Sequence, residues 1–497
     1  MRATFAEIAG SNVALPGVRS PGVQRDPASH RVDQSSQPFS PGHPIDPSAS
    51  PSTDNSPFPP LGSPSYSQSL HDSLSLLAPD SLIHAVLDDW FEHVHPLAPV
   101  LHRRRFLTRF HNGDAYNDRI FCGLVISVLC ATCATLRRKS LAEYHPITLN
   151  RCVQFIQSHD LLPADGPYSL DWCVAKYNLA TASMVHRDMS DPWTHRMFSE
   201  AMMGTRYLFI YKIDEMSTID RELCKRLYCL LEISMMCVCI PRGLLEQLVL
   251  TKILFSNVDM LGQPVLGRLA LKSSAERRPC FFTDEEIAPV TPATEFNVPS
   301  WHGDNISYVP GLTHLLDIFL SWHHCQTDRF YLPPEQVLSY GLSRVQNSID
   351  NLPPELRWRG GLSRPQTATS GHDVQIANIF ITSLYVRSNL LQQFGKPSLH
   401  QREHQSIASD LLEVLYHLPQ PILEANRYSL IPKIRDIGGA YLDVLQIRQG
   451  DVEVVAIDDE AKGKLERLLR KLGVLDLDFR PDMSSYELGK GENHRIL

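Results

Sequence analysis

The chain has 497 residues, of which 43% are hydrophobic and 21% charged, values ordinary for a globular protein with a core of several hundred residues. Its formal net charge of -8 argues against the bulk of the chain being a nucleic-acid binder, because neutralising phosphates requires a concentrated positive surface. Met1–Gly10 holds no apolar stretch of secretory-signal length, so we expect an intracellular protein with reduced thiols.

Residues 1–78 differ in composition from the rest of the chain. They hold about a third of the 36 prolines, many serines and few apolar residues. Such a segment cannot bury enough surface to offset the entropy lost on ordering. We therefore expect a disordered Pro/Ser-rich arm, which serves either for phosphorylation and partner binding or only as a spacer.

The most informative segment is Ser81–Phe106, SLIHAVLDDWFEHVHPLAPVLHRRRF. Its apolar residues recur at helical spacing and predict one broad buried face, formed by Leu82, Ile83, Val86, Leu87, Trp90, Phe91 and Val94. The acidic residues Asp88, Asp89 and Glu92 are expected to face water. Pro96 and Pro99 end the helix. A second apolar patch follows at Val100, Leu101, Phe106 and Leu107.

The densest basic cluster, His102, Arg103, Arg104 and Arg105, lies directly after the two prolines. Three arginines suit a fragment of a nuclear-import signal, a phosphate contact, or a solvated turn that pairs with acidic residues of a neighbouring helix. We favour the third interpretation.

Helical patterns dominate the rest of the chain. The apolar run Phe121–Leu136 is about sixteen residues long, whereas a bilayer span needs about twenty, so the run predicts a buried helix with Arg119, Arg137 and Arg138 at its ends. Asp191 and Pro192 are the residue types of a helix N-cap and first turn.

Residues 257–309 interrupt the helical pattern with Asp, Pro and Gly and predict a loop-rich break between two helical halves. Helices resume at Leu312 and continue to about Leu472. We therefore predict an all-α fold, an irregular multi-helix domain over 79–480 in two packed halves, followed by a polar tail at 481–497.

The 11 cysteines are scattered, and none precedes Cys122. Cys130 and Cys133 form one Cys-x-x-Cys pair inside an apolar helix, without a second pair at zinc-ribbon spacing. Cys237 and Cys239 lie in another apolar helix. Because free cysteine is among the most buried residue types, we interpret all four as core residues and predict no metal site and no cofactor.

No set of residues predicts catalysis, and we expect a protein that is not an enzyme. Nucleophile-elbow, phosphate-binding and zinc-protease motifs do not occur. The pairs His93/His95 and His323/His324, the latter beside Cys325, point to different sides of a helix, which favours lone exposed histidines. The acidic residues Asp458, Asp459 and Glu460 favour the N-terminus of the helix that follows.

One group of apolar residues is typical either of a small-molecule pocket or of a packed core. It comprises Met202, Met203, Tyr207 and Tyr211. We favour core packing for it.

The segment FEHVHPLAPVLHRRRF closely resembles the start of the middle homology domain of fungal transcription factors. Weaker similarities follow in the family's order over residues 80 to 480, in FCGLVISVLCATCATL, SLDWCVAKYNLATASM, DPWTHRMFSEAMMGTRYLFIYKID and ELCKRLYCLLEISMMCVCIPRGLLEQL. The last departs from the family's arginine-rich pattern at Cys224–Tyr228 and Pro241–Gly243. The C-terminal stretches NLPPELRWRG, QIANIFITSLYVRSNLL and NRYSLIPKIRDIGGAYLDVL resemble a subset that regulates secondary metabolism.

The resemblance implies a nuclear transcriptional regulator, expected to control a secondary-metabolite gene cluster. The family reads DNA through a zinc cluster of six closely spaced cysteines, which this sequence lacks, so we expect a co-regulator that acts through protein contacts. Its expected partners are a DNA-binding transcription factor or a second copy of itself, with DNA contacted indirectly, a possible small-molecule effector and no membrane.

Two alternatives stay open. In the first, the chain is a truncated zinc cluster activator whose DNA-binding module is encoded upstream. In the second, it is a helical ligand-binding or scaffold protein unrelated to transcription. The sequence identifies no DNA-binding residue; Arg103–Arg105 and the Lys225/Arg226 pair are the positions that we would substitute first.

Overall fold

The computed structural model describes residues 74–164, 168–186, 191–239, 306–358, 365–396, 400–447 and 459–475. These residues all belong to one compact unit, Ser67–Pro481. The predicted polar tail, most of the predicted arm and most of the predicted loop at 257–309 lie outside the described residues. Residues 74–78 of the predicted arm are described, and Leu74 and Leu77 are buried in a short helical turn. The folded domain therefore begins before residue 79.

All elements in the described ranges are helical, which confirms the predicted all-α class. The first half of the unit contains α1 (Asp80–Asp89), α2 (Arg103–His111), α3 (Asp114–Asn117), α4 (Arg119–Thr135), α5 (Arg137–Glu143), α6 (Leu149–Ser158), α7 (Leu170–His186), α8 (Pro192–Tyr207) and α9 (Thr218–Cys239). The second half contains α10 (Val309–Asp328), α11 (Pro334–Asp350), α12 (Ser370–Phe394), α13 (Gln401–His417), α14 (Gln420–Ile447) and α15 (Asp459–Leu475).

The two predicted halves pack against each other around a large core cluster with residues from both, and a small second cluster lies among α13, α14 and α15. In the first half, α4 packs on α7 and α7 on α8; in the second, α12 packs on both α10 and α14. The halves meet where α9 contacts α10 and where α14 contacts α4. We call this boundary between the halves the seam.

The apolar run predicted to be a buried helix is α4, whose side chains are buried from Phe121 to Ala134. Asp118 caps it by accepting hydrogen bonds from the backbone N–H groups of Ile120 and Phe121. No single described helix is long and apolar enough to cross a membrane, although α4 and α5 together meet those limits across a bend of 106°.

The start of α8 also agrees with the sequence prediction. The Asp191 carboxylate accepts the backbone N–H of Thr194 at 3.0 Å, and Pro192 occupies the first turn. Proline fits there because the first N–H groups of a helix have no partner within the helix.

The segment Ser81–Phe106 forms the predicted helix but continues beyond it as a π-helical turn, Trp90–Val94, which ends before Pro96. The predicted apolar face is buried, apart from Leu82, which is half-buried. Val100, Leu101, Phe106 and Leu107 are buried as predicted.

The prediction that Asp89 faces water is wrong, since it is only 6% exposed. Its carboxylate accepts hydrogen bonds from Lys139 Nζ at 2.9 Å and from Tyr144 Oη at 2.7 Å. Lys139 lies in α5, and Tyr144 directly follows that helix. Burial raises the pKa of Tyr144 to about 12, and the hydrogen bond to Asp89 adds to the rise. A contact distant in sequence therefore compensates the buried charge.

Candidate functional site

A cavity of about 550 Å³ lies at the seam and is lined by side chains of both halves. Cavities that hold small organic molecules are typically about 300–1,000 Å³. The first half contributes residues of the π-helical turn, α4, α7 and α9, and the second half contributes residues of α10, α12 and α14. Its place and size make it the strongest candidate for a functional site in the described residues.

Most of the cavity wall is apolar. Trp90 and Val94 of the π-helical turn, Leu230 and Ile233 of α9, and Phe319 of α10 all line it. Trp90 and Val94 are the first and last residues of this π-helical turn, and such turns occur frequently at functional sites. An apolar ligand body would therefore find a preformed surface.

The central polar group of the cavity is Lys433 of α14, which is only 4% exposed. Its Nζ donates hydrogen bonds to Asn378 Oδ1 at 3.1 Å and to Thr382 Oγ1 at 2.7 Å, both on α12. It also lies 5.8 Å from the centre of the Phe319 ring. The described residues provide it with neutral acceptors and no ion pair, and burial lowers the pKa of the ammonium group.

Tyr385 of α12 also lines the cavity, and its buried hydroxyl has no hydrogen-bond partner of good geometry among the described residues. Burial and the nearby Asp436 carboxylate both raise the pKa of this phenol. Burial in turn raises the pKa of Asp436 to about 6. The pair is therefore held in an environment that disfavours negative charge.

Two buried amides in the cavity wall each have an oxygen without a described partner. Asn426 donates through Nδ2 to the carbonyls of Val374 and Ile422, at 2.9 and 3.0 Å, and Asn178 donates to Ser127 Oγ at 3.2 Å. Both Oδ1 atoms remain unpaired in the described structure. Each can accept one more hydrogen bond, from water or a ligand.

The outer part of the cavity is formed by exposed residues of α14. The Tyr428 hydroxyl contacts Met184 Sδ at 2.9 Å and so bridges α14 and α7. Pro432, in the interior of α14, is exposed beside it. Because proline has no N–H, it cannot form the helical hydrogen bond to the Tyr428 carbonyl, which weakens the helix at this edge.

The basic cluster lies at the start of α2, where Arg103–Arg105 form the first turn, and one of its arginines makes the favoured pairing with an acidic residue. Arg105 Nη1 lies 2.6 Å from Asp220 Oδ1 of α9, an acidic residue of a neighbouring helix. The guanidinium of Arg103 stacks over the Phe91 ring at 5.5 Å. These residues lie away from the cavity wall.

Arg226, of the Lys225/Arg226 pair, is 1% exposed. Its Nε lies 3.4 Å from Glu222 Oε1, and its Nη1 donates to the Pro99 carbonyl at 3.3 Å. Arg226 therefore connects α9 to the double-proline segment, Pro96–Pro99. Pro241–Gly243, where the sequence departs from the family pattern, lies outside the described residues.

The preference for core packing of the Met/Tyr group is wrong for three of its four members. Met203, Tyr207 and Tyr211 are 57%, 39% and 49% exposed, while Met202 is half-buried against the core. Met203, Tyr207 and Tyr211 recur at every fourth position, so they share one face of α8 and its π-helical continuation Leu208–Lys212, and this face is exposed. Their rings contact each other with centroids 5.5 Å apart, and the group is not part of the cavity.

The favoured interpretation of lone exposed histidines fails for His95, which is buried between the rings of Phe91 and Tyr308. His324 is exposed and His323 half-buried, whereas the adjacent Cys325 is fully buried. His93 lies beside Asp89 and Glu92, with ligand atoms within 4.8 Å of one another. In this group Asp89 is already bonded to Lys139 and Tyr144.

Cys130 and Cys133 are buried in the core as predicted. The pKa of Cys130 is raised by its contact with Cys152, and burial raises that of Cys133 to about 12, so both stay protonated. Cys237 is half-buried and lines the cavity, which differs from the core position expected for it. The side chain of Cys239 lies outside the described part of the structure.

The last helix, α15, begins at Asp459, in line with the predicted acidic start, and Asp458 is outside the described residues.

Sequence reasoning missed Lys433, Asn378, Thr382 and Tyr385. The available signal was SLIPKIRDIG, in which proline and lysine interrupt an apolar helical pattern at Pro432 and Lys433. A lysine between two isoleucine-containing turns of a buried helix indicates either a structural ion pair or a polar site. Only the fold shows that Lys433 faces two neutral acceptors of α12 at the cavity.

The cavity combines an apolar wall with a few polar groups, a composition typical of small-molecule sites. Comparisons with models of protein families, with curated proteins and with solved structures found no match to this chain.

Proposed function

We propose that the protein is a non-catalytic regulator of transcription that acts in the nucleus through protein contacts and responds to a small molecule bound at the seam. The cavity shared by the two halves is the observation that carries this proposal. The proposed role in transcription rests on the resemblance of Ser81–Phe106 to the fungal middle homology domain. The similarities nearer the C-terminus favour genes of a secondary-metabolite cluster as targets.

The segment that carries the resemblance is hydrogen-bonded to helices that also line the cavity. Gln375 Nε2 of α12 donates to the Pro96 carbonyl at 2.9 Å and to the Tyr308 carbonyl at 2.6 Å. Arg226 of α9 donates to the Pro99 carbonyl. A molecule bound in the cavity would contact α9 and α12 directly, so its binding would stabilise the arrangement around the double-proline segment.

Exposed aromatic side chains support a role in protein contacts. Tyr207 and Tyr211 form a pair on the outside of the first half, and Tyr331 is 82% exposed at the α10–α11 connection. Tyrosine is enriched in protein interfaces, where its ring is buried and its hydroxyl finds a partner. The partner proposed is a DNA-binding transcription factor or a second copy of the chain.

The proposal is tested by deleting the gene and measuring the transcriptome and the location of a tagged full chain. We expect nuclear signal and altered transcripts of a limited gene set, restored by the full chain. The purified chain should bind promoter DNA only at its non-specific level. Tight sequence-specific binding would instead support a DNA-binding activator.

A second candidate is a helical ligand-binding protein that does not act on genes, and the same cavity favours it. Under this alternative the tagged chain stays in the cytoplasm and the transcriptome does not change on deletion. The two candidates share the cavity and differ in these two readouts.

A further inference from the structure

We propose that the seam cavity binds a molecule with an apolar body and one acidic group, and that Lys433 pairs with that acidic group. That this molecule regulates transcription rests on the proposed function. The binding itself does not, and it can be measured on the purified chain.

The charge of the cavity wall favours an acidic ligand. Lys433 is a buried positive charge in this wall, and the described lining includes no Asp or Glu. The wall therefore carries this positive charge without an acidic residue beside it, although the whole chain carries -8. A confined site with one sign of charge attracts ligands of the opposite sign.

The described residues leave the hydrogen bonding of the buried Lys433 ammonium incomplete. An ammonium group has three N–H donors, and the described residues satisfy two of them, through Asn378 and Thr382. Both acceptors are neutral, so the buried charge is solvated but not compensated. A ligand carboxylate would accept the third hydrogen bond and supply the missing counter-charge.

The size and apolar character of the cavity favour an organic ligand. The volume of about 550 Å³ exceeds what a simple inorganic anion would fill, and Trp90 and Phe319 give it two flat apolar surfaces. Burying an apolar body against these surfaces removes it from water and favours binding. The acidic group then fixes orientation, while the apolar body provides most of the affinity.

The nearby acidic residue does not compete for Lys433. Asp436 is next to Tyr385 and does not line the cavity. Cys237 lines the cavity, and burial keeps its thiol protonated by raising its pKa. Neither group provides the counter-charge that the proposal assigns to the ligand.

The test uses the purified full chain and two fluorescent probes that differ in one group, 1-pyrenebutyric acid and 1-pyrenebutanol. We expect the acid to bind the unsubstituted chain roughly tenfold more tightly than the alcohol, as a hydrogen bond to a charged group implies. In Lys433→Met the acid should lose this advantage while the alcohol retains its affinity. The fold tolerates this change, because Thr382 Oγ1 already lies 3.3 Å from Asn378 Oδ1 and can donate to it.

Two further variants serve as controls. Lys176→Met removes a buried lysine outside the cavity, which pairs with Glu200, and should keep the preference for the acid. Thr181→Trp places an indole in the cavity wall and should weaken both probes. If Lys433→Met does not fold by circular dichroism, Lys433→Gln replaces it.

The proposal is overturned if the unsubstituted chain binds the two probes equally, if it binds neither, or if the preference for the acid survives in Lys433→Met or Lys433→Gln. Nuclear location and the transcriptome are measured independently of probe binding. A failure of acid binding is therefore distinguishable from a failure of the proposed role in transcription.

Discussion

The buried charged residues Asp89, Arg226 and Lys433 are each stabilised differently. Asp89 is bonded to Lys139 and Tyr144, Arg226 to Glu222 and a backbone carbonyl, and Lys433 to two neutral side chains. Removing one member of a buried pair leaves an uncompensated charge, which costs more than the pair contributes. The consequences of substitution therefore depend on what the remaining group meets.

Arg226→Met is expected to lower the free energy of unfolding by about 3–5 kcal/mol, because it removes a buried charge that pairs with Glu222 and donates to the Pro99 carbonyl. Urea denaturation of the purified chain measures the change. The double variant Glu222→Gln/Arg226→Met removes both charges and should recover part of the loss. A loss below about 1 kcal/mol for the single variant would contradict the importance of this pair.

Asp436 predicts a pH dependence of stability. Its pKa is about 6 in the folded protein, above the ordinary value of 3.8, so the folded state holds the proton more tightly than the unfolded chain does. The neutral carboxyl stabilises the fold fully below pH 4, and this contribution is lost as pH rises through about 6. Asp436→Asn should therefore raise the unfolding midpoint at pH 7.5 more than at pH 4.5.

The exposed residue Asp88 provides the matched control for this measurement. Asp88→Asn should shift the unfolding midpoint by similar small amounts at both pH values. An equal effect of Asp436→Asn at pH 4.5 and pH 7.5 would show that burial does not perturb Asp436.

At the scale of helices, patterns within a single segment were sufficient to predict where several elements lie. The apolar run of α4 and the Asp191-Pro192 start of α8 were predicted because capping and burial there depend on neighbouring residues. The burial of Asp89 was not, since its partners Lys139 and Tyr144 come from α5 and the residue directly after it. Reasoning from a single segment fails where another element determines exposure.

Glycines of the second half provide a test of helix packing within that half. A Cβ at Gly311 of α10 would collide with the Gln375 side chain, whose amide donates to the Pro96 and Tyr308 carbonyls. Gly311→Ala is therefore expected to cost about 1–3 kcal/mol of unfolding free energy. Chemical denaturation measures this loss.

Gly439→Ala on α14 is the matched control, since a Cβ there meets no atom within 4 Å. It should stabilise the protein by up to about 1 kcal/mol, because alanine favours helix over glycine. If both substitutions changed stability equally, close packing of α10 on Gln375 would not explain the glycine at 311.

The two helical halves follow from the predicted helices, but the cavity between them does not. The cavity forms where Trp90, Phe319 and Lys433 meet, and each of these residues is more than 100 positions from the next along the chain. A sequence pattern can indicate that each residue is buried, but it does not indicate that the three are close together. The site could therefore be recognised only from the assembled fold.

The double-proline segment is bonded to α9 and α12, and we propose that it couples the cavity to a role in transcription. Chromatin immunoprecipitation of the tagged full chain, sequenced alongside the transcriptome of the deletion strain, is the measurement that tests this role. We expect enrichment at the promoters of the genes whose transcripts change on deletion. A cytoplasmic chain with no promoter enrichment and an unchanged transcriptome would show that the proposed role is wrong.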